Sequence, residues 1–165
     1  MRSRIAQFMG STAYQAAAAY RTPDSSASRG FTFVMDMALA VPPNTKITGL
    51  DIWEWAASSI SMCLMRRDST NTFTCVKKWT WTSSGTNAWQ RNTITEYIVP
   101  GSGEFYLGIG NSNSPVIYSS ANSRAIAYRS GIPSEGQQHT DYTISNSNVS
   151  GGPVTGFYGQ KPVGS

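Results

Sequence analysis

The stretch Phe31-Thr-Phe-Val-Met-Asp-Met-Ala-Leu-Ala-Val41 decides the fold class of this chain. Its large apolar residues stand at every second position. They are Phe31, Phe33, Met35, Met37, Leu39 and Val41. An alternation with a period of two is typical of a β-strand that buries one face. The turn sequence Pro42-Pro43-Asn44-Thr45 follows and is expected to end the strand.

The same pattern recurs further along the chain, with Gly, Pro and Asn between the runs. The further predicted strands cover residues 47–56, 60–67, 72–82, 89–99, 105–109, 116–118 and 124–128. Short strands with such punctuation are typical of β-sandwiches and barrels, and about eight of them suit a jelly roll. We therefore predict an all-β fold, an antiparallel β-sandwich or jelly roll of about eight strands, over residues 30–131.

Both ends of the chain differ in composition from this central domain. Residues 1–29 are basic and are predicted to form an extended N-terminal arm; 14–20 could form about two turns of helix, too short to be stable alone. Residues 132–165 are rich in Gly, Ser, Asn and Pro and are predicted to form an irregular C-terminal tail. Both ends are expected to make mainly intermolecular contacts. The arm residues that we expect to act in assembly are Arg2, Arg4, Tyr14, Tyr20 and Arg21.

The composition supplies few residues for catalysis. Charged residues are 13% of the 165, against ~25% in typical domains, and the formal net charge is +4. His139 is the single histidine, and two cysteines are too few for a zinc site on their own. Asp51 and Glu54 point to opposite faces of one predicted strand, so they do not form a carboxylate pair there. We therefore predict no enzymatic activity, no catalytic residue, no cofactor and no metal.

Two interpretations of Cys63 and Cys75, which flank the predicted turn 68–71, remain open. A disulfide across a hairpin would need Cα atoms about 4.4–6.8 Å apart. The favoured alternative is a pair of small buried thiols. No signal-peptide pattern follows Met1, and disulfides belong to oxidising compartments. No apolar run is long enough for a transmembrane helix, so membrane insertion is not expected.

The basic residues do not favour nucleic-acid binding. Arg66-Arg67 and Lys77-Lys78 are adjacent pairs whose members project to opposite faces of a strand, and the N-terminal arginines are scattered. No motif of a nucleic-acid-binding fold accompanies them. We expect these charges to be solvated or to form salt bridges.

The predicted strand 72–82 should place Phe73, Cys75, Trp79 and Trp81 on one face together with Lys77. A buried unpaired ammonium would be costly. The side chain of Lys77 is therefore expected to reach the sheet edge or an acidic partner.

The tryptophans are the main candidates for a binding surface. They are Trp53, Trp55, Trp79, Trp81 and Trp89. The first four form two i, i+2 pairs, so the rings of each pair should share one sheet face and have similar burial. The favoured interpretation is core or subunit interface, with at least one pair in the core. The alternative is a flat aromatic platform for sugar, and Trp89, at a turn exit, is the best candidate for an exposed ring.

The turn Gly85-x-x-x-Trp89 leads into a strand that ends in Val99-Pro100, followed by Gly103-Glu-Phe-Tyr-Leu-Gly-Ile109. This stretch resembles β-sandwich modules of bacteriophage virion proteins. Such modules occur in capsid decoration proteins, head fibres and tail fibres, and similar sandwiches occur in carbohydrate-binding modules. The resemblance implies a sandwich fold and carries over no catalytic residue.

The expected function is therefore that of a non-enzymatic bacteriophage virion structural protein, of capsid decoration or head- or tail-fibre type. It would act as a homo-oligomer, with a trimer favoured, and contact other virion proteins such as the major capsid or tail proteins. It would be made in the host cytoplasm without a signal peptide and reside in the virion. The alternative is a carbohydrate- or receptor-binding module whose ligand is a host surface glycan. A polysaccharide-degrading enzyme is disfavoured by the length and the residue supply.

Overall fold

A computed structural model of the chain describes residues 13–17, 25–26, 32–54, 59–85, 88–111, 117–119, 125–145, 152–153 and 155–162. Every regular element in these ranges is a β-strand, so the predicted all-β class is confirmed. The strands are β1 (Ala13–Ala17), β2 (Ser25–Ser26), β3 (Phe33–Val41), β4 (Lys46–Glu54), β5 (Ser59–Arg67), β6 (Phe73–Thr82), β7 (Ala88–Ile98), β8 (Glu104–Gly110), β9 (Ile117–Ser119), β10 (Ile126–Arg129), β11 (Gln138–His139), β12 (Thr143–Ser145), β13 (Gly152–Pro153) and β14 (Thr155–Gln160). Each of the eight strands predicted from the sequence is among them. The described ranges contain no helix of the length and apolarity that a membrane crossing requires.

The strands form antiparallel sheets that stack as a sandwich. The larger sheet has seven strands in the order β11-β6-β5-β8-β3-β10-β12, and the facing sheet has four in the order β1-β14-β4-β7. A small third sheet has the order β13-β9-β2. Between β3 and β8 the chain changes from one large sheet to the other at the β3–β4, β4–β5, β6–β7 and β7–β8 connections. Strands β6 and β7 are therefore consecutive in sequence but lie in different sheets.

A hydrophobic core fills the space between the two large sheets, and we call it the inter-sheet core. The seven-stranded sheet and the four-stranded sheet both contribute fully or nearly fully buried side chains to it. Its members are Leu39, Val41, Ile47, Leu50, Met62, Leu64, Val99, Phe105, Leu107 and Phe157. Burial of aliphatic and aromatic side chains stabilises a fold by about 1.5–3 kcal/mol for each residue, so this core is the main stabilising element of the sandwich.

Strand β3 does not keep one apolar face, as its alternation predicts. Phe33 and Met35 lie on the outer face of the seven-stranded sheet, whereas Leu39 and Val41 lie in the inter-sheet core. The register with β8 shifts between Met35 and Ala40, and an odd number of extra residues moves the side chains that follow to the opposite face. At the irregularity, the buried carboxylate of Asp36 accepts a hydrogen bond of 3.0 Å from the Ala38 N–H.

Strand β6 changes face in the same way, so the prediction that Cys75, Lys77 and Trp79 share a face is wrong. Leu64 pairs with Lys77 and Met65 pairs with Cys75, which leaves one extra residue on β6. This β-bulge places Phe73 and Cys75 on the outer face of the sheet, while Trp79 and Trp81 pack against the inter-sheet core. The bulge therefore brings the Trp79 indole to the side of the sheet that faces β7.

A second core covers the outer face of the seven-stranded sheet, and we call it the outer core. It contains Phe33, Met35, Cys63, Met65, Phe73, Cys75, Tyr106, Ala127 and Tyr142. The segment after β10 closes over it, since the Gly136 N–H donates to the Cys75 carbonyl at 2.7 Å and Ile132 packs against the cluster. Tyr142 is only 2% exposed.

The C-terminal region is more regular than its composition predicts. Strand β14 lies between β1 and β4 in the four-stranded sheet, and its Phe157 is fully buried in the inter-sheet core. Phe157 and Tyr142 therefore make contacts within the chain, not the intermolecular contacts expected for this region. In the N-terminal region, residues 13–17 form strand β1, although the sequence would also allow a short helix over 14–20, and they pair with β14. Pairing with β14 stabilises this segment through tertiary contacts, whereas an isolated helix of this length is only marginally stable because its nucleation is costly.

Cys63 and Cys75 are free, fully buried thiols in the outer core, in agreement with the favoured interpretation. The pKa of Cys63 is raised because its thiol hydrogen-bonds to Cys75 and because burial disfavours the thiolate. We expect neither thiol of the native protein to react with a disulfide reagent such as Ellman's reagent within minutes, and both to react after unfolding in guanidinium. Rapid reaction of either thiol in the native state would contradict their burial.

Candidate binding groove

The predicted tryptophan pairs do not form a flat exposed platform in the described residues. Trp53 is 7% exposed and lies on the face of β4 opposite to Leu50. It pairs directly with Trp89 on β7, and the two rings meet edge to face at 6.2 Å. The Trp89 ring, expected to be exposed, is half-buried. Trp55 lies outside the described residues.

Trp79 and Trp81 are both half-buried, which agrees with the prediction of similar burial within a pair. Both pack against the edge of the inter-sheet core. They therefore contribute to the fold with one side and leave the other side accessible. Trp79 uses that accessible side to line a groove.

The groove lies between β6 and β7, where the two large sheets approach each other at one open side of the sandwich. Its volume is about 550 Å³, which falls within the usual ~300–1,000 Å³ of small-molecule sites. The lining residues are Lys77, Lys78, Trp79, Thr80, Asn92, Ile94, Thr95, Glu96 and Tyr97. Strand β7 is the last strand of its sheet in the described part of the chain, and the short β11 pairs only with Phe73 and Thr74 of β6. On the side that borders the groove, neither strand is paired with a further strand among the described residues.

Two aromatic rings form the apolar part of the groove. The rings of Trp79 and Tyr97 meet edge to face, with centroids 5.6 Å apart and planes at 88°. Edge-to-face aromatic pairs are favourable by about 0.5–1.5 kcal/mol beyond the area they bury, so the contact holds β6 and β7 at a fixed separation. Burial raises the pKa of Tyr97, with a smaller effect from Glu135. Its hydroxyl therefore stays protonated and able to donate at neutral pH.

The position of β7 beside the groove is fixed from the other face of its sheet. Arg91 donates to both carboxylate oxygens of Asp51, at 2.7 and 2.9 Å, and the Asp51 side chain is 4% exposed. The guanidinium also lies 4.2 Å from the ring centroid of Tyr158. Because successive side chains alternate along a strand, this anchor turns the next residue, Asn92, toward the groove.

The charged groups at the groove have partners within the protein. Lys77 Nζ lies 3.4 Å from Glu135 Oε2, which confirms the predicted acidic partner of Lys77. The same carboxylate oxygen accepts the Lys78 N–H at 3.0 Å, and Lys78 Nζ donates to the Pro133 carbonyl at 3.1 Å. The backbone bond from Lys78, together with Lys77, lowers the pKa of Glu135 and keeps it ionised.

On the other wall of the groove, Glu96 is similarly neutralised. Its Oε1 lies 3.5 Å from Nζ of Lys46 on the neighbouring strand β4. The pair is exposed, and pairs of this kind typically contribute about 0–1 kcal/mol to stability. The groove therefore offers neutral hydrogen-bonding groups and aromatic carbon, with most of its charge compensated.

The residues associated with catalysis are dispersed or tied to the scaffold. His139 is half-buried in β11, and burial and the neighbouring Arg129 lower its pKa. Asp51 is held by Arg91, on a different face of the molecule. No group of three or more His, Cys, Asp or Glu side chains that could hold a metal ion occurs within the described ranges.

Most of the predicted assembly residues of the arm cannot be placed. Arg2, Arg4, Tyr20 and Arg21 lie outside the described residues, and only the backbone of Tyr14 is described, in β1. In contrast, Asn92 and Tyr97 were not singled out by the sequence analysis. No local signal marks them, since their importance depends on the approach of β7 to β6 from another sheet.

Comparison with known proteins gives no relative from which a function can be transferred. No protein-family model matches the chain, and no curated protein or solved structure is significantly similar to it.

Proposed function

We propose that the protein is a non-enzymatic structural subunit of a bacteriophage virion, of capsid decoration or head- or tail-fibre type. It acts through contacts with copies of itself, in a trimer, and with other virion proteins such as the major capsid or tail proteins. The observation that carries the proposal is the exposed surface of β7. Thr93 and Ile98 are exposed there, and Ile98 is the exposed large hydrophobic residue among the described parts of the chain, with an exposed fraction of 54%.

The charges on β7 do not protect this surface from association. Arg91 is held by the buried Asp51, and Glu96 pairs with Lys46 of the same sheet. Unpaired charges on edge strands normally discourage contact with another chain, and the cores of protein interfaces are depleted of charge. A last strand whose charged side chains are paired within the same sheet is therefore a suitable contact surface between subunits.

The stretch that resembles virion modules has a structural role that supports the proposal. Gly85 has a φ of 68°, and Val99 is fully buried at the corner between the two sheets. The Val99 N–H donates to the Thr45 carbonyl at 2.9 Å, and the Val99 carbonyl accepts from the Asn44 N–H at 3.0 Å. Phe105 then enters the inter-sheet core. The resembling residues thus build the sandwich itself.

The ionic groups of the described part of the chain support a structural role in the same way. Six carboxylates pair with Lys or Arg side chains of the same chain. In the β5–β6 turn, for example, Asp68 accepts from Arg66 Nε at 2.8 Å, from Thr74 Oγ1 at 2.5 Å and from Gln138 Nε2 at 2.9 Å. These groups stabilise turns and sheet edges.

Sedimentation velocity of the full chain over a wide concentration range tests the proposal. We expect a trimer for the wild type and at least about tenfold weaker association for Ile98→Glu, because a carboxylate placed in an apolar contact must be desolvated. Ser102→Glu introduces the same charge at another exposed position and should leave the trimer intact. A wild type that stays monomeric, or an Ile98→Glu variant as oligomeric as Ser102→Glu, would overturn the proposal.

The second candidate function is a carbohydrate- or receptor-binding module. The observation that favours it is the groove between β6 and β7, with its two aromatic rings and its neutral polar side chains. The two functions are compatible within one virion protein, since the groove and the exposed side chains of β7 can serve different contacts.

A further inference from the structure

We propose that the groove between β6 and β7 binds a short neutral oligosaccharide, with the sugar rings against Trp79 and Tyr97 and their hydroxyls bonded to Asn92 and Thr95. The inference deepens the second candidate function and does not depend on the subunit contacts of β7. It differs from the flat platform considered in the sequence analysis, because the two rings come from facing sheets rather than from one strand.

The aromatic part of the groove suits the apolar faces of a sugar. The face of an aromatic ring carries partial negative charge and attracts C–H groups, which are weak donors. Trp79 and Tyr97 are half-buried and stand at 88° to each other. The perpendicular rings form a corner, and a sugar lying in it contacts one ring with a C–H face and the other with its rim.

The polar part of the groove supplies the donors and acceptors that sugar hydroxyls need. The amide of Asn92 has two donors and an acceptor, so it can bind two neighbouring hydroxyls at once. The hydroxyl of Thr95 donates and accepts, and the residue is exposed. A purely apolar ligand would leave these groups without partners, at a cost in free energy.

The compensated charges favour a neutral ligand over an acidic one. An acidic sugar would compete with Glu135 for Lys77 and would approach the carboxylate of Glu96. Lys78 Nζ is held by the Pro133 carbonyl. Breaking these pairs would offset much of the gain from a new ion pair at an exposed site, where such pairs are weak.

Protein-observed NMR titration of the full chain tests the site. The probes are cellotriose, maltotriose and chitotriose, with sialyllactose as the charged probe. We expect at least one neutral trisaccharide to shift the backbone signals of the groove residues saturably. Asn92→Ala and Thr95→Ala should each weaken that binding, by at least about tenfold for Asn92→Ala, since its amide makes two of the hydrogen bonds. Asn71→Ala makes the same change in the exposed β5–β6 turn and should bind like the wild type.

The remaining outcomes would each overturn the inference. They are no saturable shift with any of the neutral sugars, binding of sialyllactose alone, or equal affinities of Asn92→Ala and Asn71→Ala. Groove signals that shift with protein concentration in the absence of sugar would assign the groove to a second copy of the chain instead. The sedimentation of Ile98→Glu is read without sugar, so failure of the proposed subunit contact and failure of this site are distinguishable.

Discussion

Replacing Phe157 by alanine is expected to lower the free energy of unfolding by about 3–5 kcal/mol. The side chain is fully buried in the inter-sheet core, on a strand that pairs with β1 on one side and β4 on the other. Its loss leaves a cavity between the two large sheets, and the packed neighbours close such a cavity only in part. Urea denaturation followed by tryptophan fluorescence measures the change.

Gln160→Ala is the matched control for this prediction, since Gln160 lies on the same strand but is only half-buried. We expect it to cost less than about 1 kcal/mol. If Phe157→Ala were no more destabilising than Gln160→Ala, the C-terminal region would not belong to the core, and the irregular tail predicted from composition would be the better description.

Gly159→Ala is expected to be the most damaging small substitution in the same strand, at more than about 3 kcal/mol. A Cβ at this position would collide with the carbonyl oxygen of Lys46 and lie 2.7 Å from its carbonyl carbon and 3.0 Å from the Ile47 Cα. These are backbone atoms of the paired strand β4, which cannot turn aside as a side chain can. The register of β14 with β4 shifts at this glycine, where the two backbones come closest.

Gly136→Ala separates the steric effect from the general cost of replacing a glycine. No atom lies within 4 Å of a Cβ built there, and its φ of +82° leaves only a backbone penalty of about 1–2 kcal/mol. Thermal unfolding of both variants gives the comparison. A Gly159→Ala variant as stable as Gly136→Ala would show that β14 and β4 are not in close contact at this point.

The groove illustrates why the candidate site could be predicted only in part. Trp79 was identifiable, because an i, i+2 pair of tryptophans on a predicted strand is a clear local pattern. Its partner Tyr97 follows eighteen residues later in a strand of another sheet, and nothing in the local sequence indicates that approach. The pairing of Trp53 with Trp89 was likewise hidden, because it depends on the register of β4 with β7.

The sequence by itself determined the all-β class and the positions of the eight central strands. These properties are local, since alternation, turn residues and proline act over a few neighbouring residues. The tertiary structure alone decided which face each apolar residue occupies. The irregularities in β3 and β6 transfer Leu39 and Trp79 to the inter-sheet core, although the period of two continues through β3 and is interrupted in β6 by Lys77 alone. A bulge is set by the register with a distant partner strand, so the alternation alone does not show where the side chains change face. The burial of Phe157 has the same origin, because a Phe-Tyr pair among Gly, Thr and Gln contributes to the core only where two other strands hold its backbone in the sheet.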